Sequence, residues 1–237
     1  MNQELGLNSS IVRSDTVATR ARIVAAAERL FASHGIDAVS LARINRAARQ
    51  RNRSALQYHF RDKRGLLDAI LDKHTPGIEQ RRHALLDELE SRPELELRGL
   101  AQALVLPVAE KLRDPDGGLA FVRINAELLG HPRFQLFSIE AGRVNRAADR
   151  LRRLTARAAP PLPAPLWVPR WLLVTGLLFH GLADGSRAHE RSGPSDEAWS
   201  LFVEHLVDAI VAVLAAPASP ATRERLGALP PSRPEIP

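Results

Sequence analysis

The chain has 237 residues, no cysteine and a formal net charge of +6 at pH 7. The lack of cysteine excludes disulfides and thiolate metal sites, and it fits a reducing compartment. Aromatic residues make up only 5% of the chain, Ala, Leu, Arg and Glu dominate, and β-branched alternation is almost absent, so we expect an all-α fold. The most apolar run is shorter than the roughly 20 residues that cross a bilayer, and we expect a soluble cytoplasmic protein with no membrane segment and no secretory signal.

The predicted elements follow a polar, aperiodic stretch at residues 1–15, which we interpret as a flexible arm. A first helix has its apolar positions on one face and is ended by Gly35, in the usual position for a left-handed cap. Ser40 is placed to cap a short second helix, and a third helix carries Leu56 and Phe60 one turn apart.

Residues 16–62 are therefore predicted to form a compact helix-turn-helix domain. Asp62 caps a fourth helix, which we expect to fade near Pro76. Residues 63–216 are predicted to form a helical regulatory and dimerisation domain, and the proline-rich residues 217–237 a disordered tail. Beyond the fourth helix, the expected helices cover residues 77–91, 95–113, 117–130, 133–158, 166–190 and 195–216.

The positive charge is confined to the first third of the chain. Residues 1–75 hold thirteen Lys/Arg against seven Asp/Glu, whereas residues 76–237 hold twenty of each. Between Arg43 and Arg64 there are eight basic residues and one acidic residue. Folding does not require this imbalance, but a surface that lies against phosphates does, and the pattern predicts a helix-turn-helix that docks on duplex DNA. The alternative is a basic face that is merely solvated.

The first 75 residues resemble the N-terminal DNA-binding domain of TetR-family transcriptional regulators. The resemblance implies a transcriptional regulator, a repressor by default, that binds a near-palindromic operator in double-stranded DNA as a homodimer and is released by a small-molecule effector. The matching residues are Phe31-x-x-His-Gly35, Ser40, Ile44, Leu56-x-x-His59-Phe60 and Lys63-x-x-Leu66.

Two positions depart from the family pattern. Arg49 stands where the family usually has a turn glycine, and because a positive φ strains arginine we expect Asn52 to take the left-handed conformation instead. Gln57 occupies the usual position of a tyrosine, and Tyr58 is shifted by one residue.

The candidate DNA contacts fall into two groups. Arg53, Ser54 and Gln57 lie on the outward face near the start of the recognition helix and are candidates for contacts to base edges, although Ser54 could equally be a helix cap. The candidates for backbone contacts are Tyr58, His59 and Lys63, with Ser40 and Arg43 from the second helix. For His59 the alternative is a half-buried ring that packs on Phe60.

The last two long helices carry apolar stripes that the resemblance assigns to a dimer interface. The alternative is that the stripes serve only the subunit's own core. The proposed interface residues are Trp171, Val174, Leu178, Trp199, Phe202, Val203, Leu206, Ile210 and Val213.

The resemblance also implies a ligand cavity in the second domain. We expect a largely apolar ligand, since the candidate lining residues carry few charges, and we predict no metal site and no cofactor. Each candidate could instead be plain core. The candidate lining residues are Phe121, Asn125, Phe134, Phe137 and Phe179.

Two other functions remain as alternatives. An enzyme has little support, because the chain contains no GxSxG elbow, phosphate loop, HExxH motif or cysteine nucleophile, and we expect no catalytic activity. An architectural DNA-binding protein without an effector would not need a neutral second domain.

Overall fold

The computed structural model describes residues 4–50, 55–134, 146–192 and 195–228, and within them it contains helices and no strand. The predicted all-α fold is confirmed. A short 3-10 turn, Ala164–Leu166, precedes the eighth helix. The helices are α1 (Glu4–His34), α2 (Leu41–Ala47), α3 (Ala55–Phe60), α4 (Lys63–Glu90), α5 (Leu97–Lys111), α6 (Gly118–Gly130), α7 (Arg146–Ala158), α8 (Trp167–Ser192), α9 (Asp196–Ala215) and α10 (Pro220–Gly227).

Helices α1 to α3 and the start of α4 pack around one apolar centre. Phe31, Ile44, Leu56 and Leu66 contribute one fully buried side chain from each helix. The chain turns sharply between α3 and α4, where a Cβ atom on Gly65 would lie 2.1 Å from the carbonyl oxygen of Phe60. Only glycine permits this close approach, which fixes α3 against the helix that follows it.

Helix α4 begins where the sequence predicts but does not end near Pro76. The carboxylate of Asp62 accepts a hydrogen bond from the backbone N–H of Gly65 (2.9 Å) and caps the helix, which continues for 28 residues to Glu90. The expected break at Pro76 is wrong. Buried side chains on both sides of the proline, such as Leu71 and Ile78, pack the helix into the core and offset the lost backbone hydrogen bond.

The second half of the chain is a bundle built on α4. Helix α5 packs between α4 and α9, while α8 packs along both α6 and α9. Helices α8 and α9 approach closely at Gly185, where a Cβ atom would lie 2.4 Å from the ring of Phe202. A second, smaller apolar cluster joins α4, α5 and α7 through Leu86, Leu100 and Leu151.

Three further expectations need correction or fall partly outside the described residues. The predicted flexible arm is helical from Glu4 onward, because no proline interrupts the sequence and a helix extends at low cost once it is nucleated. The predicted disordered tail contains α10, whose first turn is capped by Ser219, and residues 229–237 lie outside the described part. Of the helix expected at 133–158, only 146–158 is observed, and residues 135–145 are not described.

Candidate nucleic-acid interface

The exposed face of α2 and α3 carries most of the side chains predicted to contact DNA. Ser40 is the N-cap of α2 and accepts a hydrogen bond from the backbone N–H of Arg43 (3.2 Å). The Arg43 guanidinium lies 2.8 Å from Nε2 of His34. Gln57 is exposed, and Tyr58 is 82% exposed. An aromatic hydroxyl with so little protein around it is free to reach a phosphate. Arg53 and Ser54 lie outside the described residues.

The opposite side of α3 is anchored in the core. Leu56 and Phe60 are buried, and the guanidinium carbon of Arg20 lies 5.2 Å from the centre of the Phe60 ring. The half-buried ring of His59 lies between its neighbours, with its centre 5.2 Å from that of Tyr58 and 6.0 Å from that of Phe60. His59 therefore packs on Phe60, but its ring is only half-buried.

Lys63 has a structural contact that sequence reasoning missed. Its ammonium donates hydrogen bonds to the carbonyl oxygens of Ile36 (2.8 Å) and Asp37 (3.1 Å), in the turn between α1 and α2. An ammonium has three N–H donors, so these bonds leave one for a phosphate oxygen. Lys63 thus ties the start of α4 to the turn that precedes α2.

The turn after α2 contradicts the conformation expected for Arg49. Arg49 itself has a φ of 53°, in the left-handed region, and Arg61 has a φ of 60° at the turn before α4. Asn52, the expected left-handed residue, lies outside the described part of the chain. Arg49 is exposed, so its side chain meets no obstacle, and the cost is backbone strain of about 1–2 kcal/mol.

Behind this face, a buried group of charges joins the DNA-binding half to the bundle. Glu28 of α1 is 2% exposed, and its carboxylate lies 2.9 Å from the Lys73 ammonium and 2.8 Å from Nε2 of His74, both on α4. Lys73 also pairs with Asp116 in the turn before α6, at 2.8 Å. Gly117 passes so close that a Cβ atom there would lie 2.5 Å from Glu28. We call these residues the junction cluster.

The charge of Lys73 is stabilised within the junction cluster. Burial by itself would lower the pKa of this ammonium, but hydrogen bonds to Asp116 and Glu28 outweigh that effect and raise the pKa above its usual range. Lys73 is therefore a permanent cation between two carboxylates. It links α1, α4 and the turn before α6 electrostatically.

Helix α6 makes a second connection to the DNA-binding half. The carboxylate of Glu127 accepts a hydrogen bond from the backbone N–H of Ile36 (2.7 Å). The four-residue spacing of Arg123 and Glu127 suggests a surface ion pair, but this pair does not form. Arg123 instead pairs with Glu190 on α8 at 3.2 Å.

The bundle contains a partly open cavity of about 80 Å³ between α4, α5, α6, α7 and α8. Of the residues proposed to line it, Phe121, Asn125 and Phe179 do so. Phe134 is not among the lining residues, and Phe137 lies outside the described residues. Apart from Asn125, sequence reasoning missed the polar part of the wall, because these side chains come from α4, α7 and α8 and meet only when the helices pack. The polar and charged lining residues are Thr75, Arg82, Asn125, Arg152 and Thr175.

The expectation of an almost uncharged cavity is therefore not met. Arg82 is 6% exposed, and it donates hydrogen bonds to the carboxylate of Glu79 and to the carbonyl oxygen of Ala103, both at 3.2 Å. The cavity also contacts the junction cluster through its wall. The ring centre of Phe121 lies 4.9 Å from that of His74.

The stripes proposed as a dimer interface lie mostly inside the subunit. Five of the nine side chains are at most 7% exposed in the single chain, and the other four are half-buried, which matches the alternative of a core role. An apolar stripe on a helix indicates that another surface covers it, but it does not say whether that surface belongs to the same subunit. Here α5, α6, α8 and α9 cover one another. The five buried side chains are Val174, Leu178, Val203, Leu206 and Ile210.

A different set of apolar side chains faces outward. We call this set, which is between 37% and 79% exposed, the outer face. By length and composition α8 and α9 could cross a membrane, but such helices are also typical of a bundle core, so this is weak evidence for a membrane span. The outer face consists of Val168, Leu172, Leu173, Leu177 and Leu201.

These features define a class of protein: a helix-turn-helix module with a basic face, joined through one continuous helix to a helical bundle with an internal cavity. The chain belongs to the TetR family of transcriptional regulators. The family model described as bacterial regulatory proteins of the tetR family matches residues 23–70. A second model, the C-terminal domain similar to the tetracycline repressor, matches residues 102–216.

A solved structure shows the same fold. A TetR family transcription regulator from Marinobacter aquaeolei VT8 is 21% identical in sequence, with a TM-score of 0.56, and the alignment covers 83% of this chain and 97% of that one. A putative TetR-family transcriptional regulator from Rhodococcus sp. is also 21% identical, with 84% and 99% covered and a TM-score of 0.43. A search of the curated proteins finds no match.

Proposed function

We propose that the protein is a cytoplasmic transcriptional repressor that binds a near-palindromic operator as a homodimer and leaves it when a small molecule binds the bundle. The observation that carries this proposal is the junction cluster. It connects the wall of the cavity, through His74 and Glu28, to the first helix of the DNA-binding half. A protein that only coated DNA would have no need of such a connection.

At the DNA, α3 lies in the major groove. Gln57 contacts base edges because it is exposed on the recognition helix, and the sequence predicts the same role for Arg53. Tyr58 and His59 contact phosphates, and Lys63 adds its remaining N–H donor. Ser40 and Arg43 hold the neighbouring backbone from α2. This assignment is supported by the exposure of Gln57 and Tyr58 and by the basic surroundings.

Dimerisation uses the outer face rather than the buried stripes. One short recognition helix reads too few base pairs to specify a site in a genome, so two copies on a two-fold symmetric operator are expected. Five large apolar side chains exposed on two adjacent helices are unusual for a monomer. Gly176 lies among them, and a Cβ atom there would meet no atom within 4 Å, which is consistent with close approach by a partner helix.

Effector binding is transmitted by displacement of α4. A ligand that enlarges the cavity presses on Phe121 and on α4, where Leu71 and Thr75 are two of the four lining residues. Lys73 and His74 lie between these two residues on the same helix, so their contacts with Glu28 change with them. The separation of the two recognition helices in the dimer then no longer matches the half-site spacing.

The test is binding of the purified protein to DNA from its own upstream region, measured by fluorescence anisotropy. The KCl concentration is varied from about 50 to about 300 mM, because contacts to phosphates weaken as the salt concentration rises. We expect sequence-selective binding with a steep salt dependence. His59→Ala should reduce the slope of log K against log salt by about one unit and weaken binding equally on all sequences. The control is Arg92→Ala, which removes an exposed side chain in the turn after α4, away from the proposed DNA-binding face. Binding without sequence preference would favour the architectural alternative.

A further inference from the structure

A large surface groove lies beside the internal cavity. It has a volume of about 790 Å³ and is formed by the end of α6, the middle of α7 and the start of α8. Eight of the described residues line it, of which six are apolar, two are arginines and none is acidic. The lining residues are Leu129, Arg152, Arg153, Ala156, Trp167, Val168, Trp171 and Leu172.

The groove and the internal cavity share part of their walls. Arg152 and Trp171 line both spaces. These two side chains therefore border both the small cavity of about 80 Å³ and the groove. Rotamer changes of an arginine and a tryptophan alter both spaces without rearrangement of the helices.

Charge and shape together select one class of ligand. We propose that the groove binds amphipathic carboxylates, with the carboxylate on Arg152 and Arg153 and the apolar body against Trp167 and Trp171. A carboxylate accepts paired hydrogen bonds from a guanidinium, whereas a cation would be repelled and a neutral apolar molecule would leave both guanidiniums desolvated without a partner. This inference rests on the proposed function, in which such a molecule is the effector.

Arg152 can exchange its present partner for a ligand. It pairs with Asp149 at 2.9 Å, three residues earlier on α7, and the two side chains are 42% and 55% exposed. Exposed pairs of this kind contribute little, so a carboxylate that also buries apolar surface replaces Asp149 at small cost. Of the outer face, Leu173, Leu177 and Leu201 do not line the groove, whereas Val168 and Leu172 belong to both surfaces. The ligand therefore needs only the part of the groove formed by the two arginines and two tryptophans to stay open in the dimer.

The tryptophans allow a direct test. Two of the three tryptophans of the chain line the groove, and the third is Trp199. Decanoate, kept below its micelle concentration, should change the fluorescence of the full-length protein saturably, and 1-decanol at equal concentration should bind about tenfold more weakly or worse. The decanoate signal should be largely lost in the Trp167→Phe Trp171→Phe variant and retained in Trp199→Phe, the matched control.

The arginines are tested by Arg152→Gln Arg153→Gln, which removes both positive charges and leaves shorter, polar side chains. We expect this variant to weaken decanoate binding about tenfold or more and to leave 1-decanol binding unchanged. Equal affinity for acid and alcohol, or decanoate binding that ignores the two substitutions, would overturn the proposal. A groove closed by a second copy would also overturn it. In that case Val168→Asp would sediment as a monomer, and the wild type would show no decanoate signal.

These measurements use no DNA, so they separate the groove from the proposed function. Decanoate binding that meets both criteria, in a protein with no sequence-selective DNA binding, would support the groove and contradict the repressor. Selective DNA binding without any decanoate signal would do the reverse.

Discussion

The carboxylate of Glu28 and the imidazole of His74 form a buried pair, with 2.8 Å between Oε1 and Nε2 and with both side chains at most 2% exposed. Burial of a carboxylate is costly unless hydrogen bonds and opposite charge compensate it, and here Lys73 supplies the charge. The pair joins the DNA-binding half to the bundle at a point where the cavity wall touches His74.

Removal of this carboxylate should destabilise the protein. Glu28→Gln leaves His74 without a charged partner and Lys73 with Asp116 alone, and we expect the free energy of unfolding in urea to fall by about 1–3 kcal/mol. The control is Glu110→Gln, which breaks the exposed pair with Arg81 and should cost less than about 1 kcal/mol. Equal losses for the two variants would mean that the buried pair contributes no more than a surface pair.

Stability at low pH should depend on Asp114, in the turn after α5. The pKa of this carboxyl is held below its usual range, first by a hydrogen bond from Lys111 and next by one from the backbone N–H of Asp116. A carboxyl with a lowered folded pKa stabilises the fold above its unfolded pKa of about 3.9, and that contribution is lost as pH falls through the folded pKa.

We therefore expect the free energy of unfolding to fall less steeply below about pH 4 in Asp114→Asn than in the wild type. Lys111→Gln should flatten the profile in the same way, because it removes the main cause of the shift. Urea titrations between about pH 3 and pH 6 give the slopes. If wild type and both variants share one slope, Asp114 does not contribute to acid sensitivity.

Sequence preference should reside in Gln57. Its replacement by alanine removes a donor and acceptor from the exposed side of α3, and we expect a loss of about 1–3 kcal/mol on the preferred site and much less on random DNA. Gln80→Ala, an exposed change on α4 away from this face, serves as the control. If selection from a random library returns one consensus for wild type and Gln57→Ala, Gln57 does not read bases.

The outer face and the buried stripes should respond differently to charge. Leu173→Glu with Leu201→Glu should give a folded monomer, because each new charge is solvated in the monomer. In the dimer each charge would be buried without a partner, which would cost about 3–5 kcal/mol. Leu206→Glu, by contrast, should unfold the subunit, since that side chain is buried within it. Sedimentation and circular dichroism distinguish the two. A folded dimer in the double variant would contradict an interface at this face.

Backbone strain at Arg49 should be relieved by glycine. A left-handed φ costs a residue with a Cβ atom about 1–2 kcal/mol, which glycine would not incur. The greater conformational freedom of glycine in the unfolded chain offsets part of this stabilisation. We expect Arg49→Gly to raise the free energy of unfolding by about 0.5–1 kcal/mol and Arg49→Ala to leave it nearly unchanged. Equal stabilisation by both would point to charge repulsion among the neighbouring arginines instead.

Sequence reasoning was most reliable for helix caps and helical periodicity, which are local signals. Caps such as Ser40 and Asp62, together with the helical period, place most helix starts within two residues. The junction cluster could not be found in this way, because Glu28 and His74 are 46 positions apart and each looks like an ordinary polar residue on its own helix. The role of Lys63 was missed for the same reason.

The apolar stripes illustrate a different limit. A stripe such as the one through Leu206 and Ile210 predicts that a helix face is covered, but neighbours within the subunit and a second subunit leave the same pattern. The exposed Leu173 and Leu201 stand out only once the packing is known. Pro76 was misjudged because tertiary packing on both sides of it outweighs the local preference to break the helix.

The unbroken course of α4 restricts how this protein could have exchanged parts with its relatives during evolution. Exchange of one DNA-binding half for another cannot take place in a loop here, since the two halves meet inside a helix that runs from Lys63 to Glu90. A splice in that helix must preserve its phase, because each inserted or deleted residue turns everything beyond it by about 100° and shifts it by about 1.5 Å. A single-residue error would rotate Ile78 and Leu86 out of the core while Leu66 and Leu67 stayed in place. Recombination within α4 should therefore yield working hybrids only when the number of residues between these two buried faces is unchanged.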